Sequence, residues 1–435
     1  AIGVSSAVDL NDSDKEYDMF DAQMSGTFGD MEIHTDQNNN VYITGQYSQY
    51  HPATIAGYTL YSSAPTSSES IFIAKYDSSG NIQFVTSEQL GPGSNTHFYG
   101  STIDDNGDIV IIGKNSSSNG YNHWVFVNKY DGNTGSSITT FMSGSSGSPS
   151  TYPLDVIPDG SGGVYVSGLH QDPIDFGGIS LSNNGQWWCQ GFLFHLDNSN
   201  SILWANGVGN FIPSLAIDQN NNLLAACGIS DGSNSNQYQT VIHQCDISTG
   251  NIITTISSDL MDYNIDPVNG VRLNVDNNGD IYMFTGSDIN SYNSNYVFNS
   301  APLNPVMDDS HIIYKLDNSF NVINAVNFGT NNFIVHQIEV LSNNDIVLRT
   351  ESNLSFLVND ILYEQEIDQT GNITHLNSNI DFVKFHTLGS TFGNTVSEAI
   401  CANNTNLFTL YKRYGIFINN GTTHPSGYYV VKEQY

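Results

Sequence analysis

The feature that most constrains the fold is a short motif that recurs along the whole chain. It begins with Asp, passes through a turn rich in Asn, Asp and Gly, and ends in a β-rich run closed by Gly, as in Asp36–Gly45. Its first positions are Asp36, Asp104, Asp159, Asp218, Asp276, Leu341 and Ala402, the last two heading degenerate copies. Neighbouring copies therefore lie 55–68 residues apart along the 435 residues. A nearly constant period of this length predicts a repeat fold.

Each repeat except the last carries a second turn signal, led by Asp and followed by Asn, Ser, Thr or Gly. Its first positions are Asp77, Asp131, Asp197, Asp246, Asp317 and Asp368. These residue types supply the backbone geometries of tight hairpins, and short β-rich runs flank both turns. No stretch shows sustained helical periodicity. Each repeat is therefore predicted to form four antiparallel strands, A to D, and seven such units predict an all-β chain folded as a seven-bladed β-propeller.

The two ends of the chain predict how the ring closes. The seventh repeat ends at Tyr435 after strand C, whereas residues 17–24 form a spare strand ahead of the first repeat. We expect this N-terminal strand to complete the last blade as its outer strand and so remove an open sheet edge. The predicted organisation is an N-terminal arm, residues 1–16, followed by a single propeller, residues 17–435. Its blades start at about residues 31, 98, 153, 213, 271, 335 and 397.

The paired turns resemble the bacterial β-propeller repeat called SBBP. Its consensus joins a D-x-x-G-N-x-Y-V-T-G turn to a later F-V-A-K-Y-D-x-x-G-N turn. The clearest matches are Asp36–Gly45 with Ile71–Asn81, and Gly163–Gly168 with the insert Ile174–Leu181. The resemblance extends over roughly residues 17–435 and weakens in the last two copies. It implies a seven-bladed propeller on an exported protein, and it implies no particular activity.

The distance between the two turns alternates along the chain. It is 41, 38 and 41 residues in repeats one, three and five, but 27, 28 and 27 residues in repeats two, four and six. The three long connections share a short insert, at Ile55–Leu60, Phe176–Leu181 and Phe298–Leu303. We expect each insert to form a small hairpin at the blade rim, on the face that the B–C and D–A connections share. Binding should lie on this variable face, because loops carry most recognition residues.

The charge balance limits the classes of partner. Asp and Glu number 43 against 11 Lys and Arg, so the formal net charge is −32. Such a chain repels nucleic acid and anionic membrane surfaces. No apolar run reaches the length of a membrane span, so membrane insertion is not expected. The chain starts at Ala1 without Met, and its composition is polar, rich in Tyr and poor in Lys. We expect a secreted, extracellular or cell-surface protein whose signal peptide has been removed.

Four of the first turns fit the D-x-[DN]-x-[DN] pattern that begins many calcium loops. Asp104 with Asp108, and Asp276 with Asp280, are the strongest candidates because each turn offers two carboxylates. A later bidentate carboxylate does not recur at a fixed offset. Hairpin chemistry is therefore the favoured interpretation of these turns, and calcium binding is the alternative. No other cofactor is expected.

The sequence contains no G-x-S-x-G elbow, P-loop or H-E-x-x-H motif, and we therefore predict that the chain is not an enzyme. Aromatic residues gather instead in the predicted long loops, beside Asn and Asp. Exposed rings in such surroundings suit sugar stacking or a protein-binding hot spot, and packing within the blades is the alternative. The candidates are Tyr47, Tyr50, Tyr121, Trp187, Trp188, Tyr292 and Tyr296.

Together these features predict a non-enzymatic propeller that acts as a structural, adhesive or protein-binding module. Its partner would be another protein or a second copy of the chain, bound through the loop face or the N-terminal arm. Two alternatives stay open. One is an extracellular glycan-binding module that uses the loop aromatics, and the other is a polysaccharide lyase or glycoside hydrolase. The propeller fold does not choose among them.

Overall fold

The computed structural model describes most of the chain. The described residues are 18–48, 53–60, 69–88, 95–117, 122–144, 151–182, 190–209, 214–230, 237–258, 261–262, 271–286, 297–298, 301–302, 310–329, 334–351, 356–358, 361–363, 372–380, 382–386, 395–403, 405–413, 417–419, 422–424 and 427–434. They fold into β-strands joined by turns, so the prediction of an all-β chain is confirmed. None of the described segments is a helix of the length and hydropathy that crossing a membrane requires.

The first eight strands comprise two N-terminal strands, the four strands of sheet one and one hairpin. They are β1 (Asp18–Asp21), β2 (Met24–Ser25), β3 (Phe28–Thr35), β4 (Val41–Ser48), β5 (Ala53–Ile55), β6 (Tyr58–Leu60), β7 (Glu69–Tyr76) and β8 (Ile82–Glu88). Sheet one has the order β3-β4-β7-β8, which is the predicted A-to-D order of one repeat. A separate small sheet joins β2 to the hairpin β5–β6.

Sheets two and three follow with the same antiparallel plan. Their strands are β9 (Asn95–Ile103), β10 (Ile109–Ser116), β11 (His123–Tyr130), β12 (Ser137–Met142), β13 (Thr151–Pro158), β14 (Val164–His170), β15 (Ile174–Phe176), β16 (Ile179–Leu181), β17 (Gln190–Leu196) and β18 (Ile202–Val208). Sheet two is β9-β10-β11-β12 and sheet three is β13-β14-β17-β18, with β15–β16 as a hairpin.

Sheets four and five repeat the arrangement. Their strands are β19 (Ser214–Ile217), β20 (Leu223–Ser230), β21 (Gln237–Cys245), β22 (Ile252–Ser257), β23 (Met261–Asp262), β24 (Val271–Val275), β25 (Ile281–Gly286), β26 (Val297–Phe298), β27 (Ala301–Pro302), β28 (Ser310–Leu316) and β29 (Val322–Gly329). Sheet four is β19-β20-β21-β22, with β23 also beside β21, and sheet five is β24-β25-β28-β29.

The last strands form sheets six and seven. They are β30 (Ile334–Val340), β31 (Ile346–Glu351), β32 (Phe356–Val358), β33 (Ile361–Tyr363), β34 (Asn372–Leu376), β35 (Phe382–His386), β36 (Thr395–Ala402), β37 (Asn406–Arg413), β38 (Phe417–Asn419), β39 (Thr422–His424) and β40 (Gly427–Gln434). Sheet six is β30-β31-β34-β35. Sheet seven is β36-β37-β40 with the N-terminal strand β1 beside β40. A strand from the start of the chain therefore occupies the outer position of the last sheet, while the closed seven-bladed ring itself stays a prediction.

The chain divides into two compact units. One contains residues 20–215 and 245–251, and the other contains residues 1–19, 216–244 and 252–435. In the first unit, sheets two and three pack face to face through branched and aromatic side chains. Val110, Ile112 and Val125 of sheet two meet Phe192 and Phe194 of sheet three, and all five are fully buried. Equivalent apolar layers lie between sheets four and five and between sheets five and six of the second unit.

The leading Asp of each motif shapes the A–B turn. Asp36 Oδ1 accepts hydrogen bonds from the backbone amides of Asn38 and Asn40, both at 2.9 Å. The fourth turn residue has a left-handed backbone, φ 59° at Asn39 and φ 81° at Gly107. Asn and Gly tolerate this conformation better than other residues, which explains the turn composition.

The Gly that closes the motif permits a recurring irregularity in the first strand of the sheet. A Cβ on Gly113 would overlap the Phe126 ring and the backbone oxygen of His97, so only Gly fits there. Beside this point the A strand carries a β-bulge in sheets two, three, six and seven, and sheet one has an irregularity at the same place. The extra residues are Tyr99, Leu154, His336 and Glu398, and each is half-buried. The repeat therefore keeps the bulge and changes the side chain that the bulge presents.

Small hairpins occur in all three predicted inserts, as β5–β6, β15–β16 and β26–β27. Two further hairpins, β32–β33 and β38–β39, form in repeats six and seven, where the sequence analysis named no insert. Two of these hairpins lie beside the outer strand of the preceding sheet. β32 pairs with the end of β29, and the backbone oxygen of Asp175 in β15 accepts a hydrogen bond from the Gly144 amide just after β12. The hairpin β5–β6 instead pairs with β2 in the separate small sheet.

Candidate binding site on sheets two and three

The structure places one of the predicted loop aromatics inside a sheet. Tyr47 lies in β4, is 1% exposed and packs edge-on against Phe72 with ring centroids 6.5 Å apart. Its prediction as an exposed loop residue is therefore corrected: β4 continues three residues past Gly45, to Ser48, and buries Tyr47. The remaining candidates lie outside the described residues, namely Tyr50, Tyr121, Trp187, Trp188, Tyr292 and Tyr296.

The calcium candidates take part in hairpin and ion-pair contacts. Asp104 Oδ1 accepts the amides of Asn106 and Asp108 at 2.9 Å, and its Oδ2 lies 2.5 Å from the Lys129 ammonium. Asp276 accepts two turn amides in the same way, and Asp280 pairs with Lys315 at 2.9 Å. Among the described residues, no group of three or more His, Cys, Asp and Glu side chains could hold a metal. Calcium binding stays a prediction, and a melting temperature that falls on addition of a chelator would support it.

The same turns hold neighbouring sheets together. Lys75 donates to the backbone oxygen of Gly132 at 2.8 Å, and Lys315 donates to that of Ser378 at 2.7 Å. His195 takes the equivalent position in sheet three and contacts Asp159 Oδ2 at 2.8 Å. Burial raises the pKa of Asp159, but hydrogen bonds from His195 and the turn outweigh that effect and lower it. The A–B turn end is therefore mainly scaffold.

At the opposite end of sheet two, polar side chains continue the face that packs against sheet three. Alternate residues of a strand share a face, so Lys114 and Ser116 follow Val110 and Ile112. In the neighbouring strands His97 lies opposite Lys114, and His123 lies opposite Ser116. Directly opposed residues also share a face. The apolar contact between the two sheets therefore gives way to amine, imidazole and hydroxyl groups at this end.

Sheet three supplies a matching polar end. His170 follows Val164 and Val166 on the face that packs against sheet two, and Gln190 lies opposite it in β17. His170 is 0% exposed; its Nδ1 lies 2.8 Å from the backbone oxygen of Asp172, and its Nε2 has no hydrogen-bond partner among the described residues. Burial lowers the pKa of His170, against the raising effect of Asp172. A buried polar atom without a partner is uncommon in proteins and suggests a bound water or ligand.

Two tyrosines and the Lys114 amine meet beside this polar end. The rings of Tyr99 and Tyr152 lie 5.6 Å apart and tilted, and both side chains are half-buried. The Lys114 ammonium lies 4.2 Å from the centroid of the Tyr152 ring, a cation–π distance. The β-bulge in β9 presents Tyr99 at this point. We name Tyr99, Lys114 and Tyr152 the inter-sheet site.

Desolvation sets the electrostatics of the inter-sheet site. Lys114 is 6% exposed, and burial lowers its pKa to about 8. Lys129 and Lys315 are buried against Asp carboxylates. A basic group with a shifted pKa at a sheet end, next to half-buried aromatic rings, is typical of functional sites.

None of the sequence-based predictions named the residues of this site. Lys75, Lys129 and Lys315 share one repeat position, just before the second turn, and Lys114 stands outside that series. Its equivalents after the motif Gly are Gln46 and Leu169. The seventh repeat has Lys412 at the same position, ten residues after Ala402, so this Lys recurs once in the chain. Two of the aromatic candidates are close in sequence to residues at this end of the sheets: Tyr121 is two residues before His123, and Trp188 is two residues before Gln190.

A Ser–His–Glu group links sheets one and two but lacks the geometry of a catalytic triad. His34 Nε2 lies 2.7 Å from Ser101 Oγ, and the same nitrogen lies 3.5 Å from Glu32 Oε2. A triad needs the acid at the other ring nitrogen. Ser101 Oγ donates to Glu32 at 2.7 Å, so its proton is directed away from the His. The backbone amide of Ser101 also donates to Glu32, which ties the two A strands together.

No family model and no curated protein matches this chain. Among solved structures, it is similar to the β-propeller domain of the Trilobed protease from Pyrococcus furiosus, at 9% identity and TM-score 0.47, over 93% of this chain and 96% of that one. It is also similar to a Bacteroides caccae protein of unknown function, at 11% identity and TM-score 0.39, over 76% and 94% of the two chains. The α-L-arabinofuranosidase Arb93A from Fusarium graminearum matches at 9% identity and TM-score 0.37, over 97% and 98%. The neighbours are β-propeller-type proteins of differing or unknown function, and this similarity concerns the fold alone.

Proposed function

We propose that the chain is an exported, non-enzymatic binding propeller, with seven sheets closed into a ring and a ligand held at the inter-sheet site. The observation that carries this proposal is the Tyr99–Tyr152 ring pair beside the desolvated Lys114 amine. A binding site needs a partly exposed apolar surface with a few directed polar groups, and this combination provides both. The bulge at Tyr99 supports the same view, because bulges commonly re-aim a side chain next to a site.

Replacement of both rings tests the proposal. We expect Tyr99→Ala with Tyr152→Ala to lower binding to a glycan array, or capture of a protein partner, at least tenfold. Tyr58→Ala is the matched control, because Tyr58 is a 52% exposed ring on the β5–β6 hairpin. Circular dichroism would verify that each variant keeps its β-structure. Unchanged binding by the double variant would contradict the proposal. Release of products from the array polysaccharides would instead support a lyase or hydrolase.

A second candidate function is self-assembly, as expected of a structural or adhesive subunit. It is supported by β22, an outer strand in which Ile252 and Ile253 are 45% and 57% exposed. The segment Asn251–Ser258 carries no charged residue in a chain of net charge −32. Uncharged β-branched edge strands favour pairing with another chain. We expect Ile253→Lys to abolish any concentration-dependent increase in light scattering. If deletion of residues 1–15 abolishes it instead, the N-terminal arm is the contact.

A further inference from the structure

The outer edge of sheet four is open along β22. Ile252 and Ile253 are 45% and 57% exposed, and Thr254 and Thr255 beside them are also exposed. Among the described strands, only β21 pairs with β22. We propose that β22 of one copy pairs antiparallel with β22 of a second copy, which joins the two chains into a closed dimer. This inference rests on the second candidate function, self-assembly, and specifies how the copies are joined.

The backbone of β22 directs hydrogen-bonding groups toward this open edge. The Ser258 amide, one residue past β22, donates to the backbone oxygen of Thr240 in β21 at 2.9 Å. In an antiparallel pair, alternate residues of a strand bond to the same neighbour. Thr255 and Ser257 therefore direct their N–H and C=O groups away from β21. An added strand would bond to these groups, which is how extended segments join an exposed sheet edge.

Neighbouring outer strands are partly covered, which distinguishes them from β22. The end of β29 pairs with β32, and Gly144, just after β12, donates to the backbone oxygen of Asp175 in the hairpin β15–β16. Gly177 of the same hairpin lies against β18, since a Cβ on it would be 2.8 Å from the Ile202 side chain. Among the described residues, no hairpin pairs with β22. The edge of β22 is therefore better placed to accept a strand than the edges of β12, β18 or β29.

The charge of the chain favours a second copy over a basic partner. Residues 251–258 carry no charged side chain, whereas the formal net charge of the whole chain is −32. A basic partner would be attracted to carboxylates elsewhere on the surface, and β22 offers it none. Two acidic copies need an uncharged contact, and β-branched Ile and Thr pair favourably across strands. Around a two-fold axis each β22 covers the edge of the other, so growth stops at the dimer.

Analytical ultracentrifugation at increasing protein concentration would test the inference. We expect a monomer–dimer equilibrium without larger species. Dimerisation should strengthen about tenfold between about 0.01 M and about 0.15 M ionic strength, because salt screens the repulsion between the two acidic copies. Ile253→Lys should abolish the dimer. Ile138→Lys is the matched control, because Ile138 is 46% exposed on the uncharged outer strand β12, and it should leave dimerisation unchanged.

Two measurements test the backbone pairing separately from the apolar contact. Ser257→Pro removes an N–H that points to the open edge and should also abolish the dimer, with circular dichroism to verify that the variant keeps its β-structure. Hydrogen exchange of the unmodified chain needs no variant. The amides of Thr255 and Ser257 should exchange more slowly at concentrations at which the dimer forms.

The outcomes separate this inference from self-assembly in general. If the copies associate but Ile253→Lys has no effect, or exchange at Thr255 and Ser257 is unchanged, the inference is wrong and another surface joins the copies. Growth beyond the dimer, or association that weakens as salt rises, would also contradict it. If the chain stays monomeric at every concentration, self-assembly and this inference both fail. Ligand binding at the inter-sheet site would be unaffected by that result.

Discussion

Lys129 shows how the chain accommodates a positive charge that is almost completely removed from water. Its ammonium contacts Asp104, lies 3.5 Å from Asp108 and donates to the backbone oxygen of Gly162. Lys129→Met would leave the buried Asp104 carboxylate without its cation, so we expect a loss of about 3–5 kcal/mol in the free energy of unfolding. Chemical denaturation would measure it.

The control is Lys75→Met, because the amine of Lys75 donates to a neutral backbone oxygen. Its loss should be smaller, about 1–3 kcal/mol. Adding Asp104→Asn to Lys129→Met should recover part of the larger loss, since Asn keeps the oxygen that accepts the turn amides. Equal losses at Lys129 and Lys75 would contradict this view of the buried pair.

Buried imidazoles predict a loss of stability in mild acid. His243 is 4% exposed, its Nδ1 lies 2.8 Å from Thr255 Oγ1, and burial lowers its pKa. The pKa of His170 is lowered in the same direction. As the pH falls through the unfolded-state value of about 6.5, the unfolded chain takes up protons first. The free energy of unfolding should therefore fall there, by up to about 1.4 kcal/mol per pH unit for each group.

Equilibrium unfolding between pH 7.5 and 5 would show this dependence of the free energy of unfolding on pH. The variant His243→Gln should show a smaller slope, because it lacks the contribution of one titrating imidazole. The pKa values of Asp77 and Asp131 are also lowered, but they affect the free energy of unfolding only at a more acidic pH, below the usual Asp value of about 4. An identical slope in His243→Gln would show that His243 does not contribute.

At the scale of elements, the hairpin β15–β16 contributes to the core of sheets two and three. Phe176 is 0% exposed, and its ring lies 5.0 Å from that of Phe192 and 4.7 Å from that of Phe194. We expect Phe176→Ala to lower the free energy of unfolding by about 3–5 kcal/mol, because the cavity remains after the transfer energy is lost. Tyr58→Ala, on the exposed side of another hairpin, should change it by less than about 0.5 kcal/mol. Similar effects of the two variants would mean that the hairpin is peripheral.

The strand plan could be predicted because turn chemistry is local. Asp with Asn or Gly specifies each A–B and C–D turn from within a few residues, as the Asp36 and Asp104 turns show. The small hairpins were harder to predict, because the signal for them was the length of the B–C connection. β32–β33 forms within a connection that is no longer than those of repeats two and four. The inter-sheet site could not be predicted, because it depends on contacts between repeats. Which Tyr meets Lys114 is decided by the bulge in β9 and by how sheet three packs, and neither is encoded in one repeat.

At the scale of the whole molecule, self-repulsion should make stability depend on salt. The formal net charge is −32, and four of the six lysines whose exposure the structure describes are buried. Raising the ionic strength from about 0.01 M to about 0.15 M shortens the Debye length from about 30 Å to about 8 Å. We expect the melting temperature to rise by several degrees over this range. If screening is the cause, choline chloride should raise the melting temperature as much as sodium chloride does. A rise seen only with calcium chloride would instead indicate specific cation binding.

The burial of these lysines also affects how the protein can be labelled chemically. Lys75, Lys114, Lys129 and Lys315 are only 2–7% exposed, so amine-directed labels and trypsin have little access to them in the folded chain. Acylation with an activated ester should therefore leave these four unmodified until the sheets separate. Peptide mapping after such labelling would report unfolding residue by residue. For immobilisation or fluorescence work, an engineered cysteine in place of exposed Tyr58 would be a better attachment point than the native amines.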